Sequence, residues 1–316
     1  MSVLEIPIRK LNTGASVPGI GIGCASNERT PEAFRATKPW ILNAIQSGYR
    51  HLDTASLYGT EESVGLAVKE SGVPREELFV TTKLPWSHTS IFWKSLYDSL
   101  DRLDIDYVDM YLMHSPMSWK YIGDGFELDK IFPRDSDGNA LLLDHPNFSD
   151  TWATMEMALA TGKVKAIGVS NFSIKNLEKL LETAKVVPAV NQVEMHPLLV
   201  EEELLQYCKS KGIVVVAYSP TGFSDVLTLP LIQKLAEKYS TSAVQLVLSW
   251  HIARGVIPVP QSTNPGRQLQ NLTLPVLEAE DVKAISSLDQ GKRLTQKIDE
   301  KDGKLWGAWT AEQLGW

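Results

Sequence analysis

The 316 residues carry 31 Lys and Arg against 38 Asp and Glu, with 43% hydrophobic and 22% charged residues, an ordinary globular composition that excludes disorder. The acidic balance, a pI near 5.5, and the lack of a basic run with interleaved aromatics argue against a nucleic-acid partner. Cys24 and Cys208 are too few for a disulfide framework or a thiolate zinc site and fit a reducing compartment. With no signal peptide in MSVLEIPIRKLN and no apolar run of membrane-span length, the expectation is a cytoplasmic protein with no membrane partner.

In chain order, RKLNTGASVPG places a turn at Asn12 to Gly14 between short β-like pieces, predicting a hairpin over one barrel end. Eight short apolar, β-branched runs follow. They are GIGIG near Gly21, YRHLD ending at Asp53, LFVTTK ending at Lys83, YVDMYLMH ending at His114, KAIGVS ending at Ser170, AVNQV around Gln192, GIVVVAYS ending at Ser219 and VIPVP ending at Pro260. Helical spacing separates them, as in Leu177, Leu180, Leu181 and Ala184, or Leu204, Leu205 and Cys208. A long stretch from about Met117 to Ser149, rich in Asp, Gly, Pro and aromatics, reads as a functional loop. The tail from Gln290 carries Trp306, Trp309 and Trp316 and reads either as a strap on the barrel or as a pocket wall.

Eight βα units in order predict an α/β fold, a single (β/α)8 TIM barrel over residues 1–316, because each parallel step needs a crossover helix. The rival, a doubly wound open sheet, requires a glycine-rich dinucleotide turn. Counted from Gly19 or Gly21, its third glycine is Cys24 or Ser26, so the fingerprint fails.

In such a barrel the reactive groups stand at the carboxyl ends of the strands. Asp53, Tyr58, Lys83 and His114 all fall there. Taken singly, each has an ordinary structural reading as cap, packing group, surface charge or satisfied histidine. Their shared end of the barrel favours chemistry. A buried Lys83 ammonium needs a counter-charge such as Asp53, and the pair would lower the Tyr58 pKa toward working pH, making the phenol an acid and base. Glu194 with His196 is the nearest approach to a metal-ligand pair, but no third ligand has suitable spacing, and no Gly-x-Ser-x-Gly elbow occurs.

The runs DTASLYGTEES, YLMHSP, KAIGVSNF, NQVEMHP, YSPTG and VPQSTNPGRQLQN, in this order along almost the whole chain, resemble the aldo-keto reductases. The resemblance implies NADP(H)-dependent reduction of aldehydes or ketones, with Tyr58 protonating the carbonyl oxygen, His114 orienting it, and Lys83 and Asp53 tuning Tyr58. It also implies that Ser170, Asn171 and Gln192 hold the carboxamide and that Tyr218 stacks on the nicotinamide. Ser219 to Gly222 would wrap the pyrophosphate, and Gln261, Ser262, Arg267 and Asn271 would meet the adenosine end. A small-molecule carbonyl substrate, no metal, and a monomer or homodimer are expected.

Three positions depart from the family pattern. Ala25 stands where a Trp is usual, Ser115 where an aromatic is usual, and Gln261 where a Lys is usual. They predict a wider pocket and an NADPH preference relaxed enough for NADH to serve. The alternative from another class is a catalytically weak nicotinamide-binding regulatory protein on the same barrel, and the intact tetrad argues against it.

Overall fold

The computed structural model describes residues 3–316. A short strand β1 (Val3–Leu4) precedes a hairpin of β2 (Ile8–Lys10) and β3 (Ser16–Pro18). Then come eight parallel strands: β4 (Ile22–Gly23), β5 (His51–Asp53), β6 (Phe79–Leu84), β7 (Met110–Met113), β8 (Ile167–Ser170), β9 (Val190–Glu194), β10 (Val214–Tyr218) and β11 (Ile257–Pro258). All eight coincide with the predicted runs. They pair strictly in sequence order, which a doubly wound sheet would not do. The sheet closes through Gly21 N–H to Pro258 C=O at 3.0 Å and Gly23 N–H to Pro260 C=O at 2.9 Å. The result is a (β/α)8 barrel. Strand β12 (Leu274–Pro275) returns to pair antiparallel with β1, and β13 (Lys304–Leu305) with β14 (Trp309–Thr310) forms a hairpin in the tail.

Side chains alternate across a strand, and this alternation positions the site. On β6, Phe79 joins the barrel interior and Thr81 bonds His51 Nε2 at 3.1 Å, while Val80 and Leu84 enter the layer between sheet and helices. Lys83 therefore has inward parity at the rim. Leu52 packs outward on β5, so Asp53 turns inward beside it. On β7, Met110 and Leu112 face in and Tyr111 and Met113 face out, which brings His114 to the same rim. The interior below is filled by Leu112, Val190, Val216 and Ile257, and the hairpin residues Leu11 and Val17 plug the amino-terminal end as expected.

Helices between the strands cover the outside. In Phe92–Leu103 the buried residues are Phe92, Ser95, Leu96, Ser99, Leu100 and Leu103, the spacing of a single helical face. The helix Ile174–Leu181 starts where Ser173 accepts the Asn176 N–H, and Ala243–Ala253 starts at a capping box of Ser242 with Gln245. No helix among the described residues is long and apolar enough to cross a membrane.

The seam has no room for a side chain at Gly21, where a Cβ would lie 2.7 Å from His51 Nδ1 and 2.9 Å from Val259 Cγ1. We expect Gly21→Ala to lower stability by about 1–3 kcal/mol, the usual cost of overpacking. Urea unfolding measures it, and an unchanged midpoint would refute the account of the seam.

Candidate active site

The ammonium of Lys83 is fully buried and donates to Asp53 Oδ1 at 2.6 Å, to the Thr54 carbonyl at 2.9 Å and to the Tyr58 hydroxyl at 3.4 Å. Tyr58 reaches this point because the turn Ser56–Tyr58 follows β5 directly and ends at Gly59, whose φ of 70° reverses the chain. The His114 ring stands edge-on to Tyr58, centroids 5.7 Å apart. All four expected groups thus meet at one rim.

Burial alone would drive Lys83 toward neutrality, but the charges of Asp53 and Tyr58 raise its pKa and keep it an ammonium. Tyr58 departs from expectation. Burial pushes its phenol above the ordinary value of 10.0, and the pull of Lys83 does not overcome it. The phenol is therefore held protonated at neutral pH rather than tuned toward ionisation. Burial, then the charges of Lys83 and Arg29, hold His114 well below its ordinary value, so its imidazole is neutral.

The residues expected to hold a carboxamide form one network. Ser170 donates to the Gln192 carbonyl at 2.8 Å, Asn171 Nδ2 donates to the His114 carbonyl at 2.9 Å, and Tyr218 donates to Asn171 Oδ1 at 2.8 Å. Gln192 Nε2 donates to Asp53 Oδ2 at 2.6 Å, joining this network to the ion pair. Asp53, Tyr58, Tyr218, Ser219, Gln261, Ser262, Arg267 and Asn271 line a single groove of about 600 Å³ that leaves the rim between β10 and β11. Ser219 and Gly222 both have positive φ, 45° and 60°, so the chain between them is tightly folded along the groove wall. Asn271 is nearly buried there, whereas the Arg267 guanidinium is exposed. Gln261 is already engaged, donating Nε2 to the Ala25 carbonyl at 2.7 Å.

Ala25 lines the groove, as its small side chain in place of an indole requires, but Ser115 is 1% exposed and opens nothing. The wall beside His114 comes from elsewhere. Trp86 lies 5.4 Å from His114 by centroids, and Trp306 of the tail packs on Trp86 at 4.9 Å and on Phe132 of the long loop at 4.8 Å.

Residues 19–290 match the Aldo/keto reductase family profile. The chain belongs to that family. It is 45% identical over 292 residues to the glycerol 2-dehydrogenase (NADP(+)) of Saccharomyces cerevisiae, covering 90% of this chain and 91% of that protein. It is 43% identical over 303 residues to an aldehyde reductase of the same yeast, covering 94% and 95%. Among solved structures, the Bombyx mori aldo-keto reductase in complex with NADP superposes with a TM-score of 0.81 at 34% identity, covering 95% of this chain and 97% of that one.

In this aldo/keto reductase, then, the tail packs on the barrel as a strap, and its aromatic residues lie past the family-matched span. The anchor is Glu194, which the sequence offered only as a poor metal ligand. Its buried carboxylate accepts from the Leu294, Thr295 and Gln296 backbone N–H groups, from Thr295 Oγ1 at 2.7 Å and from His196 Nε2 at 3.2 Å. Among the described residues no group of three possible metal ligands assembles. Trp86, three residues past Lys83, could have been flagged by its strand-end position. Partners for Glu194 a hundred residues away left no local signal.

Burial pushes the Glu194 pKa up, but the hydrogen bonds from His196 and residues 294–296 outweigh it and hold it at about 2, below its ordinary 4.5. A depressed carboxylate contributes stability above its unfolded pKa and loses it as pH falls through the folded value. Glu194→Gln should therefore lower Tm at pH 7, with the gap to wild type closing as pH drops from 4.5 toward 2. A gap independent of pH would exclude the charged anchor.

Proposed function

We propose that this chain acts, as one domain over residues 1–316, as an NADP(H)-dependent reductase of aldehydes or ketones with Tyr58 as general acid and base. The observation that carries the reading is the Tyr58 hydroxyl at 3.4 Å from a fully buried Lys83 ammonium, itself 2.6 Å from Asp53. The groove suits a dinucleotide in extent, and its donor set matches the parts of one. Tyr218 lines it near Tyr58, backed by the buried network of Asn171, Ser170 and Gln192, and an exposed guanidinium, Arg267, lines it as well. When bound, NADPH would supply the hydride to the carbonyl carbon.

The chain's own residues do the rest. His114, neutral because it is buried beside Lys83, donates an N–H that aligns the carbonyl oxygen and polarises it. Tyr58 remains protonated until the oxygen gains charge, then gives up its proton, and the Lys83 ammonium stabilises the phenolate left behind. Asp53 fixes Lys83 as a cation and is itself oriented by Gln192. Trp86, Phe132 and Trp306 supply an apolar, water-poor wall that strengthens these electrostatic effects. Two buried free thiols suit a cytoplasmic enzyme, and a monomer or homodimer is the assembly we propose.

Tyr58→Phe should reduce turnover by roughly 10²- to 10⁴-fold, the usual scale of general acid catalysis, while NADPH binding followed by fluorescence stays near wild type. A variant with wild-type turnover would remove Tyr58 from the mechanism. NADPH binding without turnover in the wild-type protein, across a panel of aldehydes, would favour the regulatory alternative.

Arg267 can give a 2′-phosphate two parallel charge-assisted bonds. With Gln261 bonded to Ala25 instead of supplying a charge, Arg267 carries the preference for NADPH while NADH remains usable. Arg267→Ala should lower the NADPH to NADH ratio of kcat/KM by about 10- to 100-fold, and Gln261→Lys should raise it. A ratio unmoved by both substitutions would refute this reading of the phosphate end.

A further inference from the structure

Arg29 takes no part in the machinery described above, yet it stands against it. It lies in the loop leaving β4, four residues past Ala25, and its Nη1 donates to the Leu57 carbonyl at 3.2 Å. Leu57 immediately precedes Tyr58 in the turn Ser56–Tyr58. The bond therefore holds a guanidinium against the segment that carries the phenol. Its charge is felt at Tyr58 and at His114, the two groups that would face the carbonyl oxygen.

Four of the less exposed arginines hold an acid, while Arg9 and Arg50, also half-buried, bond only backbone carbonyls. Arg75 pairs with Asp109, Arg102 with Glu61, Arg254 with Glu202 and Arg293 with Glu201. Among the described residues Arg29 pairs with none, and Leu57 O is its single hydrogen-bond partner. The Nε and Nη2 edge, a fork of two parallel donors matched to a carboxylate, is left open. In a chain of net charge −7, a cation left unpaired beside the reacting groups is a local exception to the overall field. The small residue at position 25, in the same loop, keeps that side of the rim open.

We propose that Arg29 is a specificity-determining residue that selects carbonyl substrates bearing a carboxylate. The proposal rests on reading the site as a carbonyl reductase. A carboxylate is matched in charge and in shape, since one guanidinium balances its single charge and one fork takes both of its oxygens. The carbonyl oxygen sits between Tyr58 and His114 while the carboxylate takes the Nε and Nη2 edge, and no bond at Arg29 changes during turnover.

The test compares two aldehydes of like length, succinic semialdehyde and butanal, with NADPH. Wild type should favour the acid in kcat/KM, and Arg29→Gln should collapse the acid-to-butanal ratio by roughly 10- to 100-fold, the value of a charge-assisted bond. Arg29→Lys should restore part of the ratio. The loss should appear mainly in KM and shrink at high salt, because the group is partly exposed. An independent readout is quenching of tryptophan emission by succinate against 1,4-butanediol, which Arg29→Gln should weaken for succinate alone. Equal losses for both aldehydes would make Arg29 a loop latch only and overturn the proposal, as would a wild type indifferent to the carboxylate. Butanal reduction with an unmoved ratio overturns the role of Arg29 while leaving the reductase reading intact. Reduction of neither aldehyde overturns the reductase reading and the role of Arg29 with it.

Discussion

Placing the Lys83 ammonium in the barrel interior is the constraint on which the rest of the site depends. An ion taken out of water costs several kcal/mol, recovered only by a close counter-charge and a filled hydrogen-bond shell. Asp53 supplies the charge, the Thr54 carbonyl and the Tyr58 hydroxyl fill the shell, and Gln192 occupies the second oxygen of Asp53. Lys83 stands on β6, Asp53, Thr54 and Tyr58 come from β5 and the turn after it, and Gln192 lies on β9. The pair can form only if β5, β6 and β9 are held in register around a closed barrel, so closure at the Gly21 and Gly23 seam and chemistry at the rim are one structural requirement.

The same pair explains why the phenol is a donor first. Lys83 pulls the Tyr58 pKa down, but the burial that makes the Lys83–Asp53 interaction strong also penalises the phenolate, and burial is the larger effect. In the proposed reaction the proton stays in place until negative charge builds on a neighbouring oxygen. The positive field is then already oriented, with no solvent to rearrange, which is the condition under which a fixed charge lowers a barrier most.

The tail's aromatic residues come from a different part of the chain from the four rim groups. The tetrad sits on strand ends inside the family-matched span 19–290, whereas Trp306 and Trp309 come from the tail beyond it and meet Trp86, Trp119 and Phe132 around the His114 side. Glu194 ties these layers together. It lies two residues past Gln192 on β9 with the same inward parity, and uses its carboxylate to bind tail backbone instead of a ligand. The tail is thus a separately anchored element packed against the rim.

The sequence by itself determined the eight strands, their order and the rim at which Asp53, Tyr58, Lys83 and His114 meet. Strand periodicity is local, so the parity that puts Phe79, Thr81 and Lys83 on one face, or Met110, Leu112 and His114, can be read without coordinates. The motifs from DTASLYG to NPGRQLQN carried the family in the same local way. Tertiary structure alone decided the direction of the Tyr58 pKa, the burial of Ser115, the engagement of Gln261 with Ala25 and the anchoring of the tail by Glu194. The physical reason is common to all four. Each depends on desolvation or on a partner distant along the chain, as Glu194 is from Thr295 and Gln261 from Ala25, and neither quantity has a periodicity that a single sequence displays.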